Sequence, residues 1–345
     1  MRVAIVHDDL VQWGGAERIL EGICEIYPDA PIFTSVYDAS NQELVKRFGS
    51  KKIITSFLQK IPGWRSLYKA LLPFYPIAFE QFDFSGYDLV ISHTTRFAKS
   101  VITKPGTIHI SYCHTPPRFL WHFSGEGNYG IGELLMTKLR IYDQVAARRV
   151  DFFLAGSENA RKRIKKIYRL DSKVVYPFID LARFKNIETF STRGGPAPGW
   201  DGGYFVVVGR PNIYKRFDLA EAACKNLGVE LKIIQGNLSD EMVVNILAGA
   251  RALITPGIED FGLVVLEAQA LGKPVIAFRD GGVVETVIDN KTGLFFDTQS
   301  VESLAGAIKK LDSKKINPAD CKENADRFSK ENFVKNFKQA VVSLV

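Results

Sequence analysis

Glu259 and Glu267 stand eight residues apart. The first lies in the loop Thr255-Pro256-Gly257-Ile258-Glu259-Asp260-Phe261-Gly262, the second inside the apolar run Leu263-Val264-Val265-Leu266-Glu267-Ala268. A carboxylate within such a run needs a partner, and the two hydroxyls of a ribose suit one carboxylate well. Gly262 and Leu263 open the helix and offer backbone N–H groups to a sugar or phosphate oxygen. Paired carboxylates also serve glycosidases as acid and nucleophile, but loop plus helix holds these two too far apart for that. Further upstream, Val208-Gly209-Arg210-Pro211-Asn212-Ile213-Tyr214-Lys215-Arg216 places cations where a strand gives way to a helix. Arg210 and Lys215 could neutralise a diphosphate there, or simply form a solvated basic turn. Near the amino terminus, Gly14-Gly15 follows His7-Asp8-Asp9 and opens a helix, either as an anion-binding turn or as an ordinary tight one. His114 sits in Cys113-His114-Thr115-Pro116-Pro117-Arg118, where two prolines fix the loop. His109, His114 and His122 are too irregularly spaced for a helical metal pair, so no metal site is expected.

These loops need parallel strands to place them. Short apolar runs alternate with amphipathic stretches along the whole chain, the pattern of crossover helices on parallel sheets. In the first half, strands are expected at Arg2–Val6, Pro31–Val36, Asp88–Ser92, Thr107–Tyr112, Phe152–Ala155 and Lys173–Tyr176, with helices at Ala16–Tyr27, Gly132–Arg149 and Glu158–Tyr168. The second half predicts strands at Tyr204–Gly209, Glu230–Gln235, Ala252–Thr255, Pro274–Phe278 and Gly293–Phe296. Helices fall near Phe217–Leu227, Asp240–Gly249, Gly262–Leu271, Val284–Asp289 and Val301–Leu311. Arg193–Gly203 holds five glycines and two prolines in eleven residues and reads as a loop between halves. The expectation is α/β: two doubly wound domains facing across a cleft, residues 1–180 and 190–327, with ligands at the carboxyl ends of strands.

Composition narrows the function classes. The 345 residues suit two domains, and 46% hydrophobic with 24% charged residues describes a folded chain. Cys24, Cys113, Cys224 and Cys321 lie far apart, which excludes a zinc ribbon or small disulfide scaffold and suits a reducing compartment. No secretory signal or transmembrane run is visible, so a cytoplasmic location is expected. Residues 1–170 carry 23 Lys and Arg against 16 Asp and Glu, whereas residues 171–345 carry 22 of each, so the net charge of +7 belongs to the first half. No nucleic-acid motif accompanies that charge, and nucleic acid is not an expected partner.

Several motifs together resemble glycosyltransferase family 4. They are Glu259-x7-Glu267, Gly272-Lys273-Pro274-Val275, Gly281-Gly282-Val283-Val284-Glu285-Thr286-Val287, Thr292-Gly293-Leu294-Phe295, Gly209-Arg210 with Lys215, and Gly14-Gly15-Ala16-Glu17. The form Glu259-Asp260-Phe261-Gly262, with His114-Thr115-Pro116-Pro117-Arg118, is similar to bacterial and archaeal mannosyltransferases of polysaccharide assembly. Pro256-Gly257 stands where the family often has Pro-Ser. The resemblance implies the GT-B fold, with a terminal helix within 328–345 crossing back to the first domain. It implies a retaining transferase moving a hexose, mannose from GDP-mannose by preference, to a glycan or lipid-linked acceptor, without metal or other cofactor. Glu259 would bind donor-sugar hydroxyls, with Phe261, Gly262 and Leu263 lining the same pocket. Glu267 would hold the ribose, and Arg210 and Lys215 would clamp the diphosphate. Gly14 and Gly15 would approach that diphosphate from the other domain, and His114 would sit beside the sugar. A UDP- or dTDP-sugar transferase, a nucleotide-sugar epimerase or hydrolase, and a non-catalytic sensor remain as alternatives.

One stretch points to a surface. Between Leu44 and Phe79 there are seven basic residues (Lys46, Arg47, Lys51, Lys52, Lys60, Arg65, Lys69) and no acidic one, interleaved with Phe57, Trp64, Leu67, Phe74, Tyr75 and Ile77. Such a surface could lie peripherally on an anionic membrane at roughly 1 kcal/mol per cation, or be an amphipathic helix buried on the sheet.

Overall fold

The computed structural model describes residues 1–67, 70–121, 132–185, 203–210, 212–236 and 238–345. The chain divides into two units, Met1–Tyr176 with Phe333–Val345, and Pro177–Asn332. Asp180 and its neighbours therefore belong to the second unit, and the first ends four residues before the expected 180. The reason is local: Ile179 N–H donates to the Phe328 carbonyl at 3.0 Å and pairs with Ser329.

The first unit is built on seven parallel strands: β1 (Val3–His7), β2 (Ile32–Thr34), β3 (Ile53–Thr55), β4 (Leu89–Thr94), β5 (Ile108–Cys113), β6 (Phe152–Ala155) and β7 (Ser172–Val174). Their order is β3-β2-β1-β4-β5-β6-β7. β1, β4 and β5 are central and nearly all buried, their polar residues Ser92, His93, His109 and Ser111 included, as strands of a parallel sheet covered on both faces should be. The helix Lys330–Val342 sets Phe333 and Phe337 against Tyr112 of β5, with ring centroids 6.0 and 5.9 Å away. That packing is why Phe333–Val345 counts with the first unit.

The second unit carries β8 (Phe205–Val208), β9 (Leu231–Ile234), β10 (Ala252–Thr255), β11 (Val275–Phe278) and β12 (Gly293–Phe296), all parallel, in the order β12-β11-β10-β8-β9. Both sheets reverse their winding beside their first strand, between β1 and β4 and between β8 and β10. At such a switch point successive crossovers run to opposite sides and leave a crevice beyond the strand ends.

Helix starts differ in a telling way. Asn41, Ser157, Ser239, Ser300 and Asn317 each cap a helix by accepting a backbone N–H. Gly14, before the helix Gly15–Ile26, and Gly262, before Leu263–Ala270, supply no side-chain cap. Gly262 enters its helix at φ +89°, a conformation only glycine adopts cheaply.

The stretch 44–79 folds differently from either expectation. It contributes the edge strand β3, and Leu58, Trp64, Tyr75 and Phe79 enter the core of the first unit. Three of its cations are spent within the fold. Arg47 pairs with Glu21 at 3.1 Å, Arg65 with Asp38 at 2.9 Å, and Lys51 Nζ donates to the carbonyls of Cys24, Tyr27 and Pro28. The acidic partners lie outside the stretch, where local composition could not show them. Lys46, Lys52 and Lys60 stay exposed, as do Leu67, Phe74 and Ile77, and Lys69 lies outside the described residues.

Candidate functional site

In the second unit the residues singled out from sequence gather beyond the ends of β8 and β10. Gly209 follows β8, and the Lys215 side chain runs along the space a Cβ there would touch, with Cε at 3.4 Å. Lys215 Nζ reaches Glu259 Oε1 at 2.5 Å. Arg210, at the mouth of the same loop, is exposed. Gly257 explains why serine does not follow Pro256: any Cβ there would overlap the backbone of Tyr214 and Lys215. Gly281 and Gly282 have a matching task. The Gly282 N–H donates to the Glu259 carbonyl at 2.8 Å, and side chains at either glycine would collide with the backbone of Glu259 and Asp260. The glycine pair therefore fixes the carboxylate-bearing loop.

Glu267 projects from the helix Leu263–Ala270 and meets Arg183 Nη1 at 3.1 Å, while Arg183 Nη2 lies 3.6 Å from Asp240. The sequence reading missed Arg183, which stands 84 positions before Glu267 with no local signal linking them. Leu263 is half-buried. Phe261 is buried and packs edge-on against Phe328 at 5.5 Å, so its ring supports the loop from beneath. Each carboxylate thus has its own cation, and the unit presents two part-exposed ion pairs together with Arg210 at one sheet edge. Polyanions and sugar hydroxyls are the ligands such pairs can exchange for one another.

In the first unit a second polar group lies beyond β1 and β4. Asp8 is buried and accepts four backbone N–H bonds, from Thr95, Arg96, Phe97 and Ala98, at 2.6–2.9 Å. Burial alone would raise its carboxyl pKa, but Arg96, His7 and those donors bring it below the usual range. Asp9 binds Arg96 at 2.6 Å, yet its pKa is raised, chiefly by burial. His7 and His93, register partners on β1 and β4, stack at 5.0 Å. His114 follows β5, turns its Nε2 to His93 Nε2 at 2.6 Å and sets its ring edge-on to Tyr112. His109 lies elsewhere, 2.9 Å from Ser92 Oγ, and burial lowers its pKa to about 3. His122 is outside the described residues. Gly14 and Gly15 open the helix carrying Glu17, whose buried Oε1 is 3.7 Å from His7. The sequence reading singled out His114 alone from this group; histidine as the closing residue of β1, and again near the end of β4, was the signal available.

Two family models match, "Glycosyltransferase Family 4" over residues 13–183 and "Glycosyl transferases group 1" over residues 203–328. An alpha-1,3/1,6-mannosyltransferase of Dictyostelium discoideum is 32% identical over 206 residues, covering 56% of this chain and 46% of that protein. A GDP-mannose-dependent alpha-(1-6)-phosphatidylinositol monomannoside mannosyltransferase of Mycobacterium tuberculosis is 52% identical over 54 residues, 16% of this chain and 14% of that one. The match thus spans less than half of the length of these two relatives. Sucrose-phosphate synthase of Thermosynechococcus elongatus superposes with a TM-score of 0.74 at 16% identity, covering 100% of this chain and 99% of that one, which shows the fold. With two GT-B-type doubly wound units and matching models over most of its length, the chain belongs to glycosyltransferase family 4.

Proposed function

We propose that the chain is a retaining hexosyltransferase that moves mannose from GDP-mannose to a glycan or lipid-linked saccharide. The observation that carries this is the ion pair of Lys215 with Glu259 beyond the switch point of the second sheet, next to Arg210 and the uncapped helix bearing Glu267. Similarity to relatives named as mannosyltransferases, one of them GDP-mannose-dependent, supports the choice of donor.

Breaking the bond from the anomeric carbon to phosphate builds positive charge on the sugar and negative charge on the diphosphate. Arg210 and Lys215 meet the negative charge, and Glu259 binds the sugar hydroxyls. Glu267 accepts from the ribose diol. Fixed charges already aimed at a developing charge are usually the largest catalytic contribution. These cations do the neutralising that a divalent metal does elsewhere, so no metal is needed. In the first unit, His114 meets a sugar hydroxyl and the Gly14–Gly15 turn a phosphate oxygen. Retention follows from front-face attack, with the leaving phosphate helping to take the acceptor's proton.

A panel of nucleotide sugars tests this by thermal shift and then by hydrolysis in excess EDTA. GDP-mannose should give the largest stabilisation and turn over. Turnover of a UDP-sugar alone, a strict need for added metal, or release of an epimer would each replace this reading with another.

The acceptor is proposed to be met at the inner face of a membrane. No helix among the described residues is long and apolar enough to cross one. Lys46, Lys52 and Lys60 with Leu67, Phe74 and Ile77 form the contact. The chain should sediment with anionic liposomes, and changing the three lysines to Gln should abolish this while sparing donor hydrolysis. Equal sedimentation by both proteins, or by neither, overturns it.

A further inference from the structure

The helix Leu263–Ala270 carries Glu267 but has no polar stripe to fix its rotation. Six of its eight residues are Leu, Val or Ala, and the other two are Glu267 and Gln269. Successive residues turn about 100° around a helix axis, so Gln269 points about 160° away from Glu267. Glu267 accordingly meets Arg183 on a part-exposed side, and Gln269 is fully buried on the other.

What Gln269 meets there is a second amide. Asn324, from the helix Pro318–Asp326, donates from Nδ2 to Gln269 Oε1 at 2.6 Å and to the Thr286 carbonyl at 2.8 Å. Gln269 Nε2 donates to the same carbonyl at 2.9 Å. Arg327 Nη1 donates to Asn324 Oδ1 at 2.9 Å. Asn324, Gln269 and Thr286 are buried, while Arg327 is exposed.

A side-chain amide has two N–H hydrogens and one carbonyl oxygen, so each orientation dictates the next. Turning the Asn324 amide over would set its N–H groups against the Arg327 guanidinium and its oxygen against two other oxygens. Turning Gln269 over would set its N–H groups against those of Asn324 and its oxygen against the Thr286 carbonyl. One arrangement satisfies all of these groups.

Thr286 closes the short helix Val283–Thr286, whose last carbonyls have no partner within the helix. At its other end the Gly282 N–H holds the Glu259 carbonyl at 2.8 Å, and Thr286 Oγ1 lies 3.5 Å from the Phe261 carbonyl. The two amides therefore join the element behind Glu259 to the helix that carries Glu267.

We propose that Gln269 and Asn324 are positioning residues, whose paired amides set the rotation of the helix Leu263–Ala270 and so aim Glu267 at the nucleotide ribose. The role rests on the reading above that Glu267 holds the ribose. Leu, Val and Ala side chains alone can pack at more than one rotation. Any rotation but the observed one buries two amides without partners, which is costly away from water. A buried polar pair can thus select one packing among several apolar ones.

A double-mutant cycle on nucleotide binding tests this. GDP and UDP both carry the ribose diol and are titrated calorimetrically into the full chain, Asn324→Asp, Glu267→Ala and the double variant, below the melting temperature of each. Aspartate keeps the shape of Asn324 but gives up both N–H donors. Asn324→Asp should weaken the tighter nucleotide about 10-fold, the lower end of the loss for Glu267→Ala. Made in Glu267→Ala, it should weaken binding no further, because it acts through that carboxylate. A role in stability alone predicts a lower melting temperature with binding untouched, or the same loss in both backgrounds; either result overturns the proposal. Gln269→Met keeps the volume and the bond from Asn324 to Thr286, and reads the same cycle if Asn324→Asp does not fold. Failure of both variants to fold makes the amides structural and likewise overturns it. Glu267→Ala binding like the wild type, or a wild type that binds neither nucleotide, overturns instead the ribose reading beneath the proposal.

Discussion

At the carboxyl edge of the seven-stranded sheet, Asp8 is held by four backbone N–H groups and closed to solvent; at the same edge of the five-stranded sheet, Glu259 is held by one lysine and stays 14% exposed. The contrast extends outward. In the first unit Lys99 and Asp143 pair at 2.5 Å in the interior, and Asp143 also accepts from Trp121 and Tyr168 at 2.8 Å each. In the second unit Glu267 meets the long side chain of Arg183, with both groups 17% exposed. Backbone donors cannot leave without unfolding a turn, whereas a lysine or arginine can swing to a phosphate at the cost of a few rotamers. Polar groups in the first unit therefore mainly hold the fold, and those in the second can be exchanged for a ligand.

Lys99→Met puts the first half of this contrast at greatest risk. Leaving Asp143 buried without its cation should cost about 3–5 kcal/mol in urea unfolding. A loss below about 1 kcal/mol would show that the interior pair is no more structural than the open ones. Lys215→Ala asks the opposite question. Turnover should fall about 10²–10³-fold, the range for one preorganised charge contact, while the unfolding midpoint hardly moves. A variant that melts early but turns over normally would reverse the roles assigned to the two units.

Glu267→Ala should be milder and should appear in binding. Losing a charge-assisted hydrogen bond worth about 1.5–3 kcal/mol should raise the donor dissociation constant about 10–100-fold with turnover little changed. An unchanged dissociation constant would remove Glu267 from the site. Acid should next discriminate the units, because the buried histidines with lowered pKa all belong to the first. His93 and His109 are kept neutral in the fold, so their contribution is present above pH about 6.5. It is lost as pH falls, for His109 down to about 3, by up to about 1.4 kcal/mol per pH unit for each group. His7 has the opposite sign, adding stability that fades as pH rises through its raised value. Chemical denaturation from pH 7 to 4 should show the net loss, and His109→Gln should reduce its slope. Smallest of all, Arg65→Gln breaks an exposed pair with Asp38 and should change stability by about 1 kcal/mol or less.

Much of this was legible from residue types. The buried strands stand out as short β-rich runs, and their observed bounds fall within a residue or two of those expected. β3 escaped because three residues, Ile53–Thr55, lie in a basic stretch whose composition spoke of a surface. Trp64 and Tyr75, expected among the surface residues of that stretch, fill the core, since periodicity cannot say what covers a face. Phe261 packs on Phe328, 67 positions away, a contact that no local pattern shows.

The sequence alone determined the strand–helix rhythm, the glycines and the charged types at the loop tips, because those depend on spacing and backbone freedom within a few residues. Only the tertiary structure decided which charges meet. Lys215 and Glu259 are 44 positions apart, Arg183 and Glu267 84, and His7 and His93 86. A parallel sheet brings all its carboxyl ends to one edge, whatever the length of chain between strands. The meeting of distant side chains there is a property of strand order and register, which no local pattern encodes.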